Sequence, residues 1–105
     1  MIKYAMVFIT APNKNEAEKI SRVLLDKRLI ACANIIEGVK SAFWWHDKLE
    51  SAEEVLLIAK TSASLIKKLI KTVKAAHSYD TPEIIAIPII EGYKPYLKWI
   101  SEVVT

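Results

Sequence analysis

A chain of 105 residues, 52% hydrophobic and 26% charged with a net charge of +3, has the size of one domain, and its interleaved charges do not mark it as a dedicated binder of polyanions. Its single cysteine excludes an intrachain disulfide and fits a reducing compartment. No apolar run nears the roughly 20 residues of a membrane span, and no small-residue cleavage site follows the N-terminal apolar run, so a cytoplasmic protein is expected.

Ile2 to Thr10 is apolar on nearly every residue after Lys3, the pattern of a strand central in a sheet. Pro12 and Asn13 end it. Asn13 stands three residues before Glu16, the spacing of a capping box. A helix to about Lys27 follows, with Ala17, Ile20, Val23 and Leu24 as its buried stripe and Lys27 and Arg28 at the end that suits cations.

Arg28 to Thr61 reads as one long β-hairpin. The outgoing arm, Leu29 to Trp45, is rich in β-branched and aromatic residues. Gly38 inside it predicts a bulge or a bend, beyond which the arm leaves its sheet and projects. The turn falls at His46-Asp47-Lys48, and the return arm runs from Leu49 to Lys60. Its Val55-Leu56-Leu57-Ile58-Ala59 run is apolar on successive residues, so this strand is covered on both faces. Phe43, Trp44 and Trp45 cluster at the tip, either to pack in a neighbouring subunit or to stack on a ligand.

Ser62 or Ser64 opens a second helix, with Leu65, Ile66, Leu69, Ile70 and Val73 facing inward. Lys67, Lys68, Lys71 and Lys74 lie on the other side. Without arginine or interleaved aromatics they read as a solvated face, and no nucleic-acid or membrane partner is expected. His77 to Glu83 is a turn-rich connector. Ile84 to Ile90 is a last strand, placed at a sheet edge or on a bulge by Pro88. Lys94-Pro95 starts a short terminal helix, docked through Leu97, Trp99 and Ile100.

The order strand, helix, strand, strand, helix, strand with a helical tail is that of a single α+β domain over residues 1–105: a ferredoxin-like βαββαβ arrangement with an extended β2–β3 hairpin. Two helices cover one sheet face. The open face is apolar on several strands and predicts a homo-oligomer. No Gly-rich phosphate loop, acid/base carboxylate couple or nucleophile–base pair stands out, so no enzyme activity is expected. His46, His77 and Cys32 share no metal-ligand spacing. His77, in a polar connector, reads either as a hydrogen-bonded loop histidine or as a metal ligand, and Cys32 reads as a small buried hydrophobe.

The segments Arg28-Leu-Ile-Ala-Cys-Ala-Asn34, Phe43-Trp-Trp45, Lys60-Thr61 and His77-Ser-Tyr-Asp-Thr-Pro-Glu83 resemble the CutA family of divalent-cation tolerance proteins over almost the whole chain. The resemblance implies a tight homotrimer similar to the PII signalling proteins, a role in tolerance of copper or another divalent cation, and no organic cofactor. Copper-binding members are described as using a first-strand thiol and two histidines ahead of the Tyr-x-Thr-Pro-Glu turn. His77 matches the second histidine, while Ala76 and Ile9 occupy the other two positions. His77 is therefore the expected ligand of a weakly bound metal. Cys32, Glu37, Trp45, Tyr79, Thr81 and Glu83 are expected near a pocket between subunits. The alternative is a PII-like adaptor that binds a small anionic metabolite there.

Overall fold

The computed structural model describes residues 2–105. Its elements are β1 (Tyr4–Ala11), α1 (Lys14–Asp26), β2 (Cys32–Trp45), β3 (Lys48–Ser62), a 3-10 turn (Ala63–Leu65), α2 (Ile66–Ala76), β4 (Ile84–Ile89) and α3 (Lys94–Val103). The strands form one antiparallel sheet in the order β2-β3-β1-β4. The central place of β1 and the edge place of β4 are those expected. Pro88, opposite Ala5 on the edge strand, needs no bulge, because its missing N–H would point away from the sheet.

Alternation sorts each strand onto two faces. Val7, Ile9, Leu57 and Ala59 point to one side and join Ile20, Leu24, Leu69 and Val73 of α1 and α2 in the core. Met6 and Phe8 of β1 stand opposite Ile87 and Ile85 of β4 on the other face. Ile85 and Ile87 are 48% and 39% exposed, and Ile36 of β2 is 46% exposed. This face is thus apolar and largely uncovered. Only α3 crosses one end of it, where Ile100 is fully buried and the Tyr4 hydroxyl meets Ser101 Oγ at 3.4 Å. Trp99, expected as a docking residue, is instead 39% exposed and stacks beside Tyr96.

The hairpin behaves as two segments. Gly38, at φ +77°, sits in a register shift between Ile36 and Val39, so the expected bulge is present and uses the left-handed backbone that glycine adopts without strain. Pairing of β3 to β1 starts only at Val55. From Lys48 to Glu54, β3 pairs with β2 alone, and this free two-stranded arm stretches the subunit to 44 × 26 × 23 Å. The turn is tighter than expected. Lys48 is already paired with Trp45, leaving His46 and Asp47 at φ 50° and 62°, the pair of positive φ values that matches strand twist in a two-residue hairpin.

Two helix starts differ from expectation. The Asn13 side chain accepts the Glu16 N–H at 2.8 Å, but Glu16 does not return the bond, because its carboxylate is engaged elsewhere. Neither Ser62 nor Ser64 caps the second helix. The chain enters α2 through the 3-10 turn with no side-chain cap. Ile70 is 39% exposed rather than buried.

Candidate functional site

The connector after α2 is fastened at three points. His77, at the C-terminal end of α2, is buried. Its Nε2 donates to the Thr10 carbonyl at 2.7 Å, and its Nδ1 accepts the Tyr79 N–H at 3.0 Å. Those partners make Nε2 the donor and Nδ1 the acceptor of the ring. The Glu16 carboxylate lies 3.3 Å from Nδ1 and accepts from Ser78 N–H at 3.0 Å and Ser78 Oγ at 2.9 Å. This explains the half-formed capping box: a neighbouring segment with two donors, Ser78 N–H and Oγ, holds the Glu16 carboxylate in place of its own helix start.

The third point is Tyr79. Its hydroxyl donates to Glu54 Oε2 at 2.9 Å. Glu54 is only 8% exposed, and this bond supplies the partner that a buried carboxylate requires. Burial, then the hydrogen bond to Glu54 and the charges of Glu54 and Glu16, push the Tyr79 phenol up to about 12.

An open groove of about 1010 Å³ lies beside this network, between the free hairpin arm and the connector. Trp45, Tyr79, Thr81 and Glu83, expected near a pocket between subunits, line this groove of the single chain, and Glu50, Glu54, Asp80, Lys40 and Phe43 join them. Four carboxylic residues and one lysine thus border the groove, with Lys40 on the strand face opposite that of Glu50 and Glu54. Glu50 and Glu54 were missed because they lie in the return arm, read only for its apolar run. The signal was there in the period of two, which places Glu54 on the same strand face as Leu56 and Ile58.

Cys32 and Glu37, also expected near a pocket between subunits, do not line this groove of the single chain. Cys32 sits at the far end of β2, with Sγ 3.3 Å from the Tyr96 hydroxyl. The hydrogen bond with Cys32, then burial and charge at Cys32, raise the Tyr96 phenol to about 12. Glu37 is exposed within the bulge, on a part of β2 that does not line the groove. Distance along the strand is the physical reason for Cys32: it pairs with Lys60, whereas Trp45 pairs with Lys48 at the tip of the arm, and a strand advances about 3.3 Å per residue.

For metal binding, both nitrogens of His77 are engaged within the chain, so Nδ1 has to release the Tyr79 amide before it can bind a cation. Ile9, at the thiol position of the copper-binding set, is buried in the core. Among the described residues, no three His, Cys, Asp or Glu side chains converge as a metal site, and no helix is long and apolar enough to cross a membrane.

Residues 5–103 match the family described as CutA1 divalent ion tolerance protein. The divalent-cation tolerance protein CutA of Archaeoglobus fulgidus is 49% identical over 98 residues, covering 93% of this chain and 95% of that one. Protein CutA 1, chloroplastic, of Oryza sativa subsp. japonica is 42% identical over 96 residues, covering 91% of this chain and 54% of that one. The chain therefore spans about half the length of the rice relative and nearly all of the archaeal one. Among solved structures, CutA1 from Oryza sativa superposes with a TM-score of 0.95 at 38% identity, covering 99% of this chain and 95% of that one. The protein described as the periplasmic divalent cation tolerance protein CutA of Archaeoglobus fulgidus superposes with a TM-score of 0.94 at 47% identity, covering 97% and 99%.

Proposed function

This chain belongs to the CutA1 divalent ion tolerance family, and from that premise we propose that it acts in divalent-cation tolerance as a homotrimer that binds cations weakly at the groove. The observation that carries this reading is the groove itself, which Glu50, Glu54, Asp80 and Glu83 line. Oxygen donors of this kind suit divalent cations that take carboxylate ligands. They do not converge, so one chain holds a cation loosely. Copper at His77 is the weaker form of the proposal, since the ion must displace the Tyr79 amide from Nδ1. The only thiol, Cys32, adds nothing there, because it faces Tyr96.

Trimer formation is supported by the uncovered apolar sheet face around Ile36, Ile85 and Ile87 and by the unpaired arm that carries Phe43, Trp44 and Trp45 beyond the sheet. The reducing compartment suggested by a single cysteine supports a cytoplasmic site, against the periplasmic description of the Archaeoglobus relative. Fractionation of cells decides between them. The rival function, a small anionic metabolite in the groove, meets four carboxylates there and is disfavoured by their charge.

Calorimetric titration of copper(II) and zinc(II) into the wild type, Glu54→Gln and His77→Ala tests the proposal. Saturable, weak binding that is reduced in Glu54→Gln supports the groove. Loss in His77→Ala alone moves the cation to the imidazole. No saturable heat in the wild type overturns cation binding.

A further inference from the structure

The exposed faces of the helices are charged in two different ways. Along α1 the signs alternate through Lys14, Glu18, Arg22 and Asp26, and Arg22 pairs with Asp26 at 3.2 Å. On α3, Lys98 faces Glu102 at 3.9 Å. Such mixed faces are what solubility asks of a surface helix. The α2 sequence, Ile-Lys-Lys-Leu-Ile-Lys-Thr-Val-Lys-Ala-Ala, has four lysines and no acid, and no Asp or Glu occurs between Glu54 and Asp80.

Helical geometry places these lysines together. Leu69 and Val73 are buried, and Lys67, Lys71 and Lys74 repeat at i, i+4 and i+7 on the opposite side, flanked by Lys68. All four are exposed, and none belongs to a salt bridge among the described residues. This arrangement works against the helix. Like charges three and four residues apart repel, and Lys67 and Lys68 stand in the first turn, where the helix dipole disfavours cations. A surface that breaks local rules on one helix and keeps them on its neighbours points to binding.

We infer that the lysine face of α2 is a docking surface for an anionic phospholipid bilayer. Clusters of four or more lysines on an amphipathic helix suit a negative membrane surface, which needs no shaped pocket. The face lacks the arginines and interleaved aromatics that nucleic acid recruits, and lacks the aromatic or arginine anchors that dominate protein interfaces. The apolar side of α2 is occupied by the core, so the contact is peripheral and electrostatic. The want of a membrane-spanning helix does not bear on it.

Co-sedimentation of the full chain with phosphatidylserine-containing and with pure phosphatidylcholine vesicles tests this inference, at low and high salt. Binding to the anionic vesicles only, weakened at least about tenfold by high salt, is expected from screening. The triple variant Lys67→Glu, Lys71→Glu, Lys74→Glu should lose it, while Lys14→Glu with Lys19→Glu on α1 should keep most of it. Circular dichroism and the melting curve confirm that both variants fold. If the triple variant is misfolded, acetylating reagents on the wild type, with mapping of lysines protected by vesicles, provide the second readout. Equal binding to both vesicle types, salt-independent binding, no protection on α2, or tighter binding to duplex DNA than to the anionic vesicles would each overturn the inference.

Discussion

The phenolic hydroxyl of Tyr79 donates a 2.9 Å hydrogen bond to Oε2 of Glu54, and this one contact ties the connector after α2 to the place where β3 leaves the sheet. Glu54 pairs with Val39 just past the bulge, whereas Val55 is the first residue of β3 that also pairs with β1. Tyr79→Phe should therefore loosen the root of the hairpin arm. A hydrogen bond to a charged group, here only partly shielded from solvent, is worth about 1–2 kcal/mol. Denaturant unfolding should show a loss of that size, and an unchanged midpoint would mean that water replaces the phenol at no cost.

The same bond sets a pH dependence. The Tyr79 phenol is raised from 10.0 to about 12, first by burial and then by Glu54. A group whose native value lies above its unfolded value favours the native state while protonated. Its contribution is fully present below pH 10 and disappears as pH rises from 10 through about 12. Tyr96, raised to about 12 through Cys32, acts in the same direction and window. Tyrosinate absorbance should show two phenols titrating late, one missing in Tyr79→Phe and the other in Tyr96→Phe. Ionisation of every tyrosine near its ordinary value would contradict the geometry.

His77 holds the Thr10 carbonyl and the Tyr79 N–H at once. His77→Phe keeps an aromatic ring, slightly larger than imidazole, and leaves both groups without partners in a buried place. The expected cost is about 2–4 kcal/mol, from two unsatisfied backbone groups. Faster amide exchange at Tyr79 should accompany it. A variant as stable as the wild type, with Tyr79 still protected, would remove His77 from this structural role.

Gly38 has open space where a Cβ would stand, yet its φ is +77°. Gly38→Ala therefore costs backbone strain and no clash, about 1–2 kcal/mol. Melting should fall accordingly. A gain in stability would show that the bulge re-forms with a different residue in the left-handed position.

Trp45 stands at the end of β2, paired with Lys48 and 45% exposed in the single subunit. In a trimer built through the arm it becomes an aromatic anchor, for which truncation costs about 2 kcal/mol or more of association. Sedimentation of Trp45→Ala should show dissociation at concentrations where the wild type stays assembled. Equal mass at every concentration would take Trp45 out of the interface.

Much of the architecture was legible because it follows from local chemistry. Pro88 predicts an edge strand, Gly38 a bulge and Ala17-Ile20-Leu24 a buried helical stripe, since each rests on backbone freedom or on periodicity. The site was legible only where its residues sit close in sequence, as Tyr79, Thr81 and Glu83 do. Long-range partners were not. Glu16 looked like the second half of a cap, and only the packing of α1 against the connector brings Ser78 within 3.0 Å of its carboxylate. Cys32 shares a strand with Trp45, yet it pairs with Lys60 while Trp45 pairs with Lys48, so the length of the strand keeps it from the groove.

The sequence by itself thus determined the order of elements, the faces they bury and the apolar surplus that asks for other copies, because periodicity and backbone propensity act over a few residues. Tertiary structure decided which polar groups meet. It gave His77 to Thr10 and Tyr79, Glu16 to Ser78, and Glu54 to Tyr79, because a polar group takes whichever partner the fold brings within about 3 Å, however far apart the two lie in the chain.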